Sequence, residues 1–324
     1  MVMAQSLFQV LARRVPAPAI DVLAPGWTGP LLERMPQVRD ALEMPLGHGQ
    51  LGLGERRRIG RRLRSGGYVQ AVVLPRALKA ALVPFWARIP LRTGFRGEGR
   101  WGLLNDVRRL RRGDRRTTVQ RFVALGVASG DPPPDPPRPA LQVDPVGRAA
   151  TLGRLRMDLP DVPVLGLCPG AEFGPSKRWP QADFAEVALR QRGLGWHVWL
   201  FGSAKDAPLG AHIAGRVGEG CTDLTGRTSL ADAIDLLSLT DAVVSNDSGL
   251  MHVAAALGRP LVAVYGATDP VVNPPLHPGA RVLWRGLDCS PCMKRECPLG
   301  HYRCLHEIRP QQVWEALDRF QLAR

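Results

Sequence analysis

Fourteen more positive than negative charges are carried by 324 residues, 45% of them hydrophobic. That length exceeds one ordinary core and fits two domains, and no apolar run nears the ~18 residues needed to span a bilayer. The N-terminus, MVMAQSLFQVLARRV, has no basic segment leading into a hydrophobic one, so no signal peptide is expected and the cytoplasm is the expected compartment.

In chain order, helical spacing runs from Val2 to Arg13, an apolar strand follows at Ala19–Ala24, and a helix at Gly29–Met35. A strongly basic helix over Gly54–Arg64 leads into a buried strand at Val69–Leu74. Leu78–Ile89 reads as an apolar helix and Arg92–Phe95 as a short strand. Asp131–Pro139, DPPPDPPRP, fits neither a helix nor a central strand. The connection between domains is expected from there to about Pro160, giving domains 1–150 and 151–324.

The second half alternates more regularly. Strands are expected at Pro163–Cys168, His197–Phe201, Asp223–Leu224, Ala242–Ser245, Pro260–Tyr265 and Arg281–Trp284. Helices are expected at Pro180–Gln191, Ala207–Val217, Ala231–Ser238, Leu250–Leu257 and Pro310–Arg319. Alternation of this kind predicts an α/β fold of two doubly wound, Rossmann-like domains facing each other across a cleft. The chain opens on a helix that feeds a strand, whereas a βαβ crossover needs a strand before its helix.

The charge is unevenly placed. Residues 1–150 hold 25 Lys and Arg against 11 Asp and Glu, a net of +14, while residues 151–324 hold 18 of each. The first half is therefore expected to meet something anionic: nucleic acid, a membrane surface or a phosphorylated substrate. Only four of the 43 basic residues are Lys. A genome rich in Arg codons explains that preference but not the asymmetry.

Four loops in the second half follow the carboxyl ends of strands, where open α/β sheets bind ligands. In Ser245-Asn246-Asp247-Ser248-Gly249-Leu250-Met251-His252 a strand passes straight into a helix, whose first amides suit a phosphate. Asp247 as a plain helix cap with His252 on the surface accounts for the same residues equally well. In Cys168-Pro169-Gly170-Ala171-Glu172-Phe173-Gly174-Pro175-Ser176-Lys177, Lys177 would neutralise a leaving diphosphate as a compact point charge; an ordinary loop lysine is the plainer account. The third loop is Gly202-Ser203-Ala204-Lys205-Asp206 and the fourth Thr225-Gly226-Arg227-Thr228-Ser229-Leu230, where Ser229 also fits a plain N-cap. Neither a P-loop nor a G-x-G-x-x-G fingerprint is present.

Taken in order, PGAEFGPSKRWP, LFGSAKD, GRTSL, VSNDSGLMHVAAALGRPLVAVYGATDP and IRPQQVWEAL resemble the donor domain of the ADP-heptose:lipopolysaccharide heptosyltransferase family. In the first half VMAQSL, MPLGHG and VVLPRALKAALVPFWARIPLRTGFRGEGRWGLLNDVR are similar to its heptosyltransferase II branch. The resemblance implies a GT-B fold and ADP-heptose bound by the second domain; transfer is expected to be inverting, and the sequence shows no outstanding acidic metal-binding pair, which suits transfer that requires no cofactor. The implied acceptor is a phosphorylated Kdo-lipid A core carrying one heptose, bound by the basic first domain at the inner face of the inner membrane.

Residue by residue, the resemblance implies that Lys177 lies at the donor phosphates, and that Asp247, Ser248, Gly249 and His252 form the donor set. Thr228 and Leu230 would lie by the adenine. The loop holding Ser203 would approach the donor sugars, with Ala204 where the family often has Glu. Lys79, Arg92 and Arg96 fall in the implied acceptor segment. Arg56, Arg57, Arg58, Arg61, Arg62 and Arg64 read either as contacts to anionic headgroups or as a solvated helix face.

Family members begin with an apolar strand and a Gly-containing loop that ends in an Asp, the family's general base. The sequence starts just after the equivalent point, so no residue in it is assigned as base. It is expected to be a truncated reading, with an incomplete first domain and impaired transfer. The rival readings are heptosyltransferase I or III, another transferase of the family, or a nucleotide-sugar binder without transfer. Nucleic-acid binding rests on charge alone and lacks any matching fold pattern.

Cys289, Cys292, Cys297 and Cys304 form a C-x₂-C-x₄-C-x₆-C cluster. Two accounts stand, one zinc ion or free thiols in a packed loop, and disulfides are not expected in a reducing compartment.

Overall fold

The computed structural model describes residues 1–47, 49–110 and 113–320. His48 of MPLGHG lies outside them. The chain falls into two compact units that meet at Pro137 and Arg138, not at the expected 150/151. The cause is the helix Pro145–Leu155, which the sequence reading left in the linker. Asp144 caps it by accepting from the Val146 amide, Thr151 Oγ1 donates to Asp232 at 2.6 Å and Arg154 pairs with the same carboxylate at 2.7 Å. These bonds fix the helix on the second unit.

The second unit is one parallel sheet. Its strands are labelled after the five of the first unit: β6 (Val164–Cys168), β7 (His197–Leu200), β8 (Cys221–Asp223), β9 (Ala242–Asn246), β10 (Leu261–Tyr265) and β11 (Arg281–Trp284). Their order is β11-β10-β9-β6-β7-β8. The chain starts in the middle at β6, builds outward through β7 and β8, then returns to β9 and builds the other way. The direction of winding therefore reverses between β6 and β9, and ligands bind outside the carboxyl ends of the strands at such a point.

All five residues of β6, β9 and β10 are buried. That is why they read as unbroken apolar runs and not as alternating ones: helices cover both faces. Trp179, Phe184, Trp199 and Phe201 are fully buried, and Trp179 meets Phe184 edge-on with centroids 5.0 Å apart. The last helix, Pro310–Asp318, sends Val313, Ala316 and Leu317 into this same core.

The first unit departs from a single doubly wound sheet. β1 (Asp21–Ala24) pairs in parallel with β2 (Asp40–Glu43), and β3 (Gln70–Val73), β4 (Leu91–Phe95) and β5 (Asp106–Arg108) form a second parallel sheet. Side chains, not a ladder, bridge the two: Tyr68 Oη donates to Asp21, which also binds Arg39. The opening helix Gln5–Ala12 buries Leu7 and Phe8 and packs against the helix Thr118–Ala124 through Val119 and Val123. In the basic helix Leu53–Leu63, Arg56 is buried and donates to the Leu51 carbonyl, whereas Arg57, Arg58, Arg61 and Arg62 are exposed.

Candidate active site

Two loops flank the winding reversal in the second unit. One leaves β6 and carries Lys177; the other leaves β9 and carries Asp247. Asn246, the last residue of β9, holds them in register. Its Nδ2 donates to the Pro169 carbonyl at 2.7 Å and its Oδ1 accepts from the Trp179 amide at 3.0 Å. One buried amide thus pins both ends of the Lys177 loop.

The loops meet in an ion pair. Lys177 Nζ lies 2.6 Å from Asp247 Oδ2, and Thr268 Oγ1, from the loop after β10, donates to the same oxygen at 2.6 Å. The carboxylate is buried and the lysine nearly so, their side chains 5% and 15% exposed. A buried carboxylate needs such partners to stay charged. The lysine also lies over the Phe173 ring, 5.2 Å from its centroid.

Directly after Asp247 begins the helix Gly249–Ala256. Ser248 stands at its N-cap position but makes no side-chain capping bond; its hydroxyl faces that of Ser245 at 3.3 Å. Space beside Gly249 is open, with no heavy atom within 4 Å of where a Cβ would stand. The first-turn amides of such a helix start suit an anion. His252 lies one turn in. Burial lowers its pKa to about 4, against the opposing pull of Asp247 and with Lys177 pushing the same way, so it is neutral at physiological pH. Cys168, at the end of β6, is no nucleophile, since burial pushes its thiol up to about 12.

The structure brings together Lys177, Asp247, Ser248, Gly249 and His252. Ser203 follows β7, and its hydroxyl and amide both bind Asp206, at 2.8 and 2.9 Å. Thr228 and Leu230 follow β8, at the start of a helix that Ser229 caps with Asp232. These three stand at the carboxyl ends of the outer strands of the same sheet, with no hydrogen bond to the Lys177–Asp247 pair. Sequence reasoning missed Thr268 and Asn246, although both lie inside the VSNDSG…YGATDP run.

The first unit carries a cavity of about 490 Å³ lined by Arg76, Ala77, Arg96, Gly97, Glu98 and Arg109, among others. It opens past the carboxyl ends of β3, β4 and β5, which end at Val73, Phe95 and Arg108. Its three arginines are exposed; Arg76 Nε donates to the Arg96 carbonyl at 3.2 Å, and the one carboxylate, Glu98, is engaged by the Leu78 amide at 3.0 Å. Arg96 also stacks on Trp101, 5.0 Å from the ring centroid. Of the residues expected here, Arg96 lines the cavity. Lys79 instead donates to the Gln50 carbonyl at 3.2 Å. Arg92 sits at the amino end of β4, its guanidinium spent on the Leu103 and Ile89 carbonyls at 2.7 and 2.6 Å.

Cys289, Cys292, Cys297 and Cys304 line one small cavity beside Ser176 and Ala267. All are free thiols, and among the described residues no three His, Cys, Asp or Glu side chains stand as a closed metal-ligand set. No described helix is long and apolar enough to cross a membrane.

Comparison with known proteins agrees with this geometry. The model of glycosyltransferase family 9 (heptosyltransferase) matches residues 56–303. Lipopolysaccharide heptosyltransferase 2 of Escherichia coli K12 is 45% identical over 98% of this chain and 94% of its own length. Lipooligosaccharide heptosyltransferase 2 of Haemophilus influenzae Rd is 44% identical over 98% and 95%. The solved structure of the E. coli ADP-heptose lipopolysaccharide heptosyltransferase II superposes with a TM-score of 0.87 at 43% identity, covering 98% of this chain and 94% of that one. A family 9 glycosyl transferase of Veillonella parvula shares the fold, with a TM-score of 0.84 at 21% identity over 98% and 92%. The α/β class with parallel sheets, the GT-B type and the transferase reading all stand on these likenesses together with the sheet topology. This chain belongs to glycosyltransferase family 9, the heptosyltransferases.

Proposed function

We propose that this chain moves heptose from ADP-heptose to a heptosyl-Kdo-lipid A acceptor in lipopolysaccharide core synthesis, with inversion at the anomeric carbon. The observation that carries the reading is the Lys177–Asp247 pair at the winding reversal, beside an uncapped helix start. An acceptor hydroxyl attacks the anomeric carbon and gives up its proton to water, the bond to the diphosphate breaks, and ADP leaves with the electron pair. Lys177 and the first amides of the helix Gly249–Ala256 meet the charge that develops on the diphosphate. Asp247 and Thr268 hold the ammonium in place. The adenosine extends toward the ends of β7 and β8, where Ser203, Thr228 and Leu230 stand. Because fixed protein charges do this work, transfer proceeds without added divalent metal.

The acceptor's anionic groups bind the first unit's cavity, through Arg76, Arg96 and Arg109. Phosphates and carboxylates are what such a guanidinium cluster selects. The exposed face of Arg57, Arg58, Arg61 and Arg62, with Leu51 and Leu53 half exposed beside it, sets the enzyme against the anionic inner face of the membrane.

The test is to incubate the chain with ADP-heptose and Kdo-lipid A carrying one heptose, and to read the products by mass spectrometry. Heptose added and ADP released in a one-to-one ratio are expected, at the impaired rate expected from the sequence, with little transfer to the acceptor lacking its first heptose. Preference for that lesser acceptor would indicate heptosyltransferase I instead. Tight ADP binding without transfer to any acceptor would leave a nucleotide-sugar binder.

A further inference from the structure

The stretch from Cys289 to Cys304 takes no part in the steps above. It brings four thiols to one cavity of about 20 Å³, room for roughly one water or one ion. Cys304 is the fixed member, 7% exposed in the short helix Arg303–His306. Cys297 opens a turn closed by the Gly300 amide, which donates to its carbonyl at 3.0 Å, and Gly300 takes a φ of +70° there. The other two cysteines of the chain, Cys168 and Cys221, belong to β6 and β8.

The same stretch is stitched to the loops of the active site. Ser176, next to Lys177, donates its amide to the Arg295 carbonyl at 3.2 Å and its hydroxyl to the Lys294 carbonyl at 2.5 Å. The Met293 amide donates to the Ala267 carbonyl at 2.9 Å, and Ser290 Oγ to the Gly266 carbonyl at 2.6 Å. The residues beside Lys177 and Thr268 are thus held by the backbone between the cysteines.

We propose that Cys289, Cys292, Cys297 and Cys304 hold one zinc ion as thiolates, and that this metal braces the loops presenting Lys177 and Thr268. Four soft sulfur ligands select zinc in tetrahedral geometry. Each thiol gives its proton to solvent, so four protons leave as one Zn²⁺ enters and the centre carries a net charge of −2. The four thiols line the cavity without standing as a closed ligand set, so binding the ion draws them together across it. Cys289, Cys292 and Cys297 lie in irregular backbone between β11 and Arg303.

The brace rests on the donor reading; the metal does not, and the two are read separately. Elemental analysis of the full chain, purified under reducing conditions without chelator, is expected to give one zinc per chain. Replacement by Co²⁺ should give the sulfur-to-cobalt charge-transfer and d–d absorption of a tetrahedral thiolate site. Cys292→Ser and Cys297→Ser should lose the metal and Cys221→Ser should keep it; the cobalt spectrum of the unmutated chain decides the matter if those variants do not fold. Stripping the zinc should weaken ADP binding at least fivefold and lower Tm. Folded, reduced protein that neither contains zinc nor takes it up would overturn the site, as would a disulfide within the cluster or iron in place of zinc. A metal whose removal leaves ADP affinity unchanged would overturn the brace alone.

Discussion

Lys177 Nζ and Asp247 Oδ2, separated by 70 residues in sequence, lie 2.6 Å apart at the reversal between β6 and β9. The acid cannot be a solvated cap, because its side chain is only 5% exposed. Its partners are a lysine and a threonine from two different loops. The pair and Thr268 join the loops of three strand ends, β6, β9 and β10, at one carboxylate.

Breaking the pair should cost more than removing it. Lys177→Ala leaves a buried carboxylate with only Thr268 as its partner, and losing one member of a buried pair costs about 3–5 kcal/mol. The double variant Lys177→Ala/Asp247→Asn should recover much of that stability while still failing to bind donor. Denaturant melts of the single and double variants check the cycle; equal stability of the two would show that Asp247 does not depend on Lys177.

Gly174 is predicted to tolerate no side chain. A Cβ there would stand 2.5 Å from the Arg295 carbonyl oxygen, and its φ is +147°. Gly174→Ala must therefore displace the loop three residues before Lys177. A lower Tm and at least tenfold weaker ADP binding are expected. Unchanged ADP binding by calorimetry would mean that the loop absorbs the change without moving the lysine.

The arginines of the first unit should separate by role. Arg76→Ala and Arg96→Ala are expected to raise the acceptor KM severalfold, leave ADP affinity intact, and reduce the loss of transfer seen as salt rises. Arg92→Ala should lower Tm, since it removes bonds to the Leu103 and Ile89 carbonyls. Steady-state kinetics at two salt concentrations, set beside melting curves, distinguish the two classes.

Acid should weaken the fold through His252. Its pKa is lowered to about 4 by burial, whereas in the unfolded chain it titrates near ~6.5. Between those values the unfolded state binds the extra proton, so stability rises with pH there. The contribution is complete above the unfolded value and declines as pH falls toward the folded one. His252→Asn should flatten this part of the Tm–pH curve. An identical slope in the variant would remove His252 from the account.

Much of this was legible in the sequence, for physical reasons. The second unit's strands are buried on both faces, so they read as apolar runs punctuated by glycine-rich loops. The loops fall where a parallel sheet binds ligands, which brought Lys177, Asp247, Ser248, Gly249 and His252 into view. What stayed hidden lacks such a signal. β2 and β5, DALE and DVR, are short and polar. The helix Pro145–Leu155 follows a proline-rich run and is held chiefly by polar bonds to Asp232. The first unit's division into two sheets depends on pairing, which hydropathy does not report. Arg92 and Arg96 look alike in sequence, yet they sit at opposite ends of β4, and only the carboxyl end opens into the cavity. Thr268 became visible as a partner only once β10 was seen beside β9.

The most direct test of the account is calorimetric titration of ADP-heptose into the full chain and into Lys177→Ala, with Arg216→Ala as control. Arg216 is an exposed cation of the same unit, in the last turn of the helix Ala207–Val217. The account predicts one donor bound per chain, at least tenfold weaker binding in Lys177→Ala and no change in Arg216→Ala. Equal affinity in all three proteins would contradict it, because the diphosphate would then lie away from the Lys177–Asp247 pair.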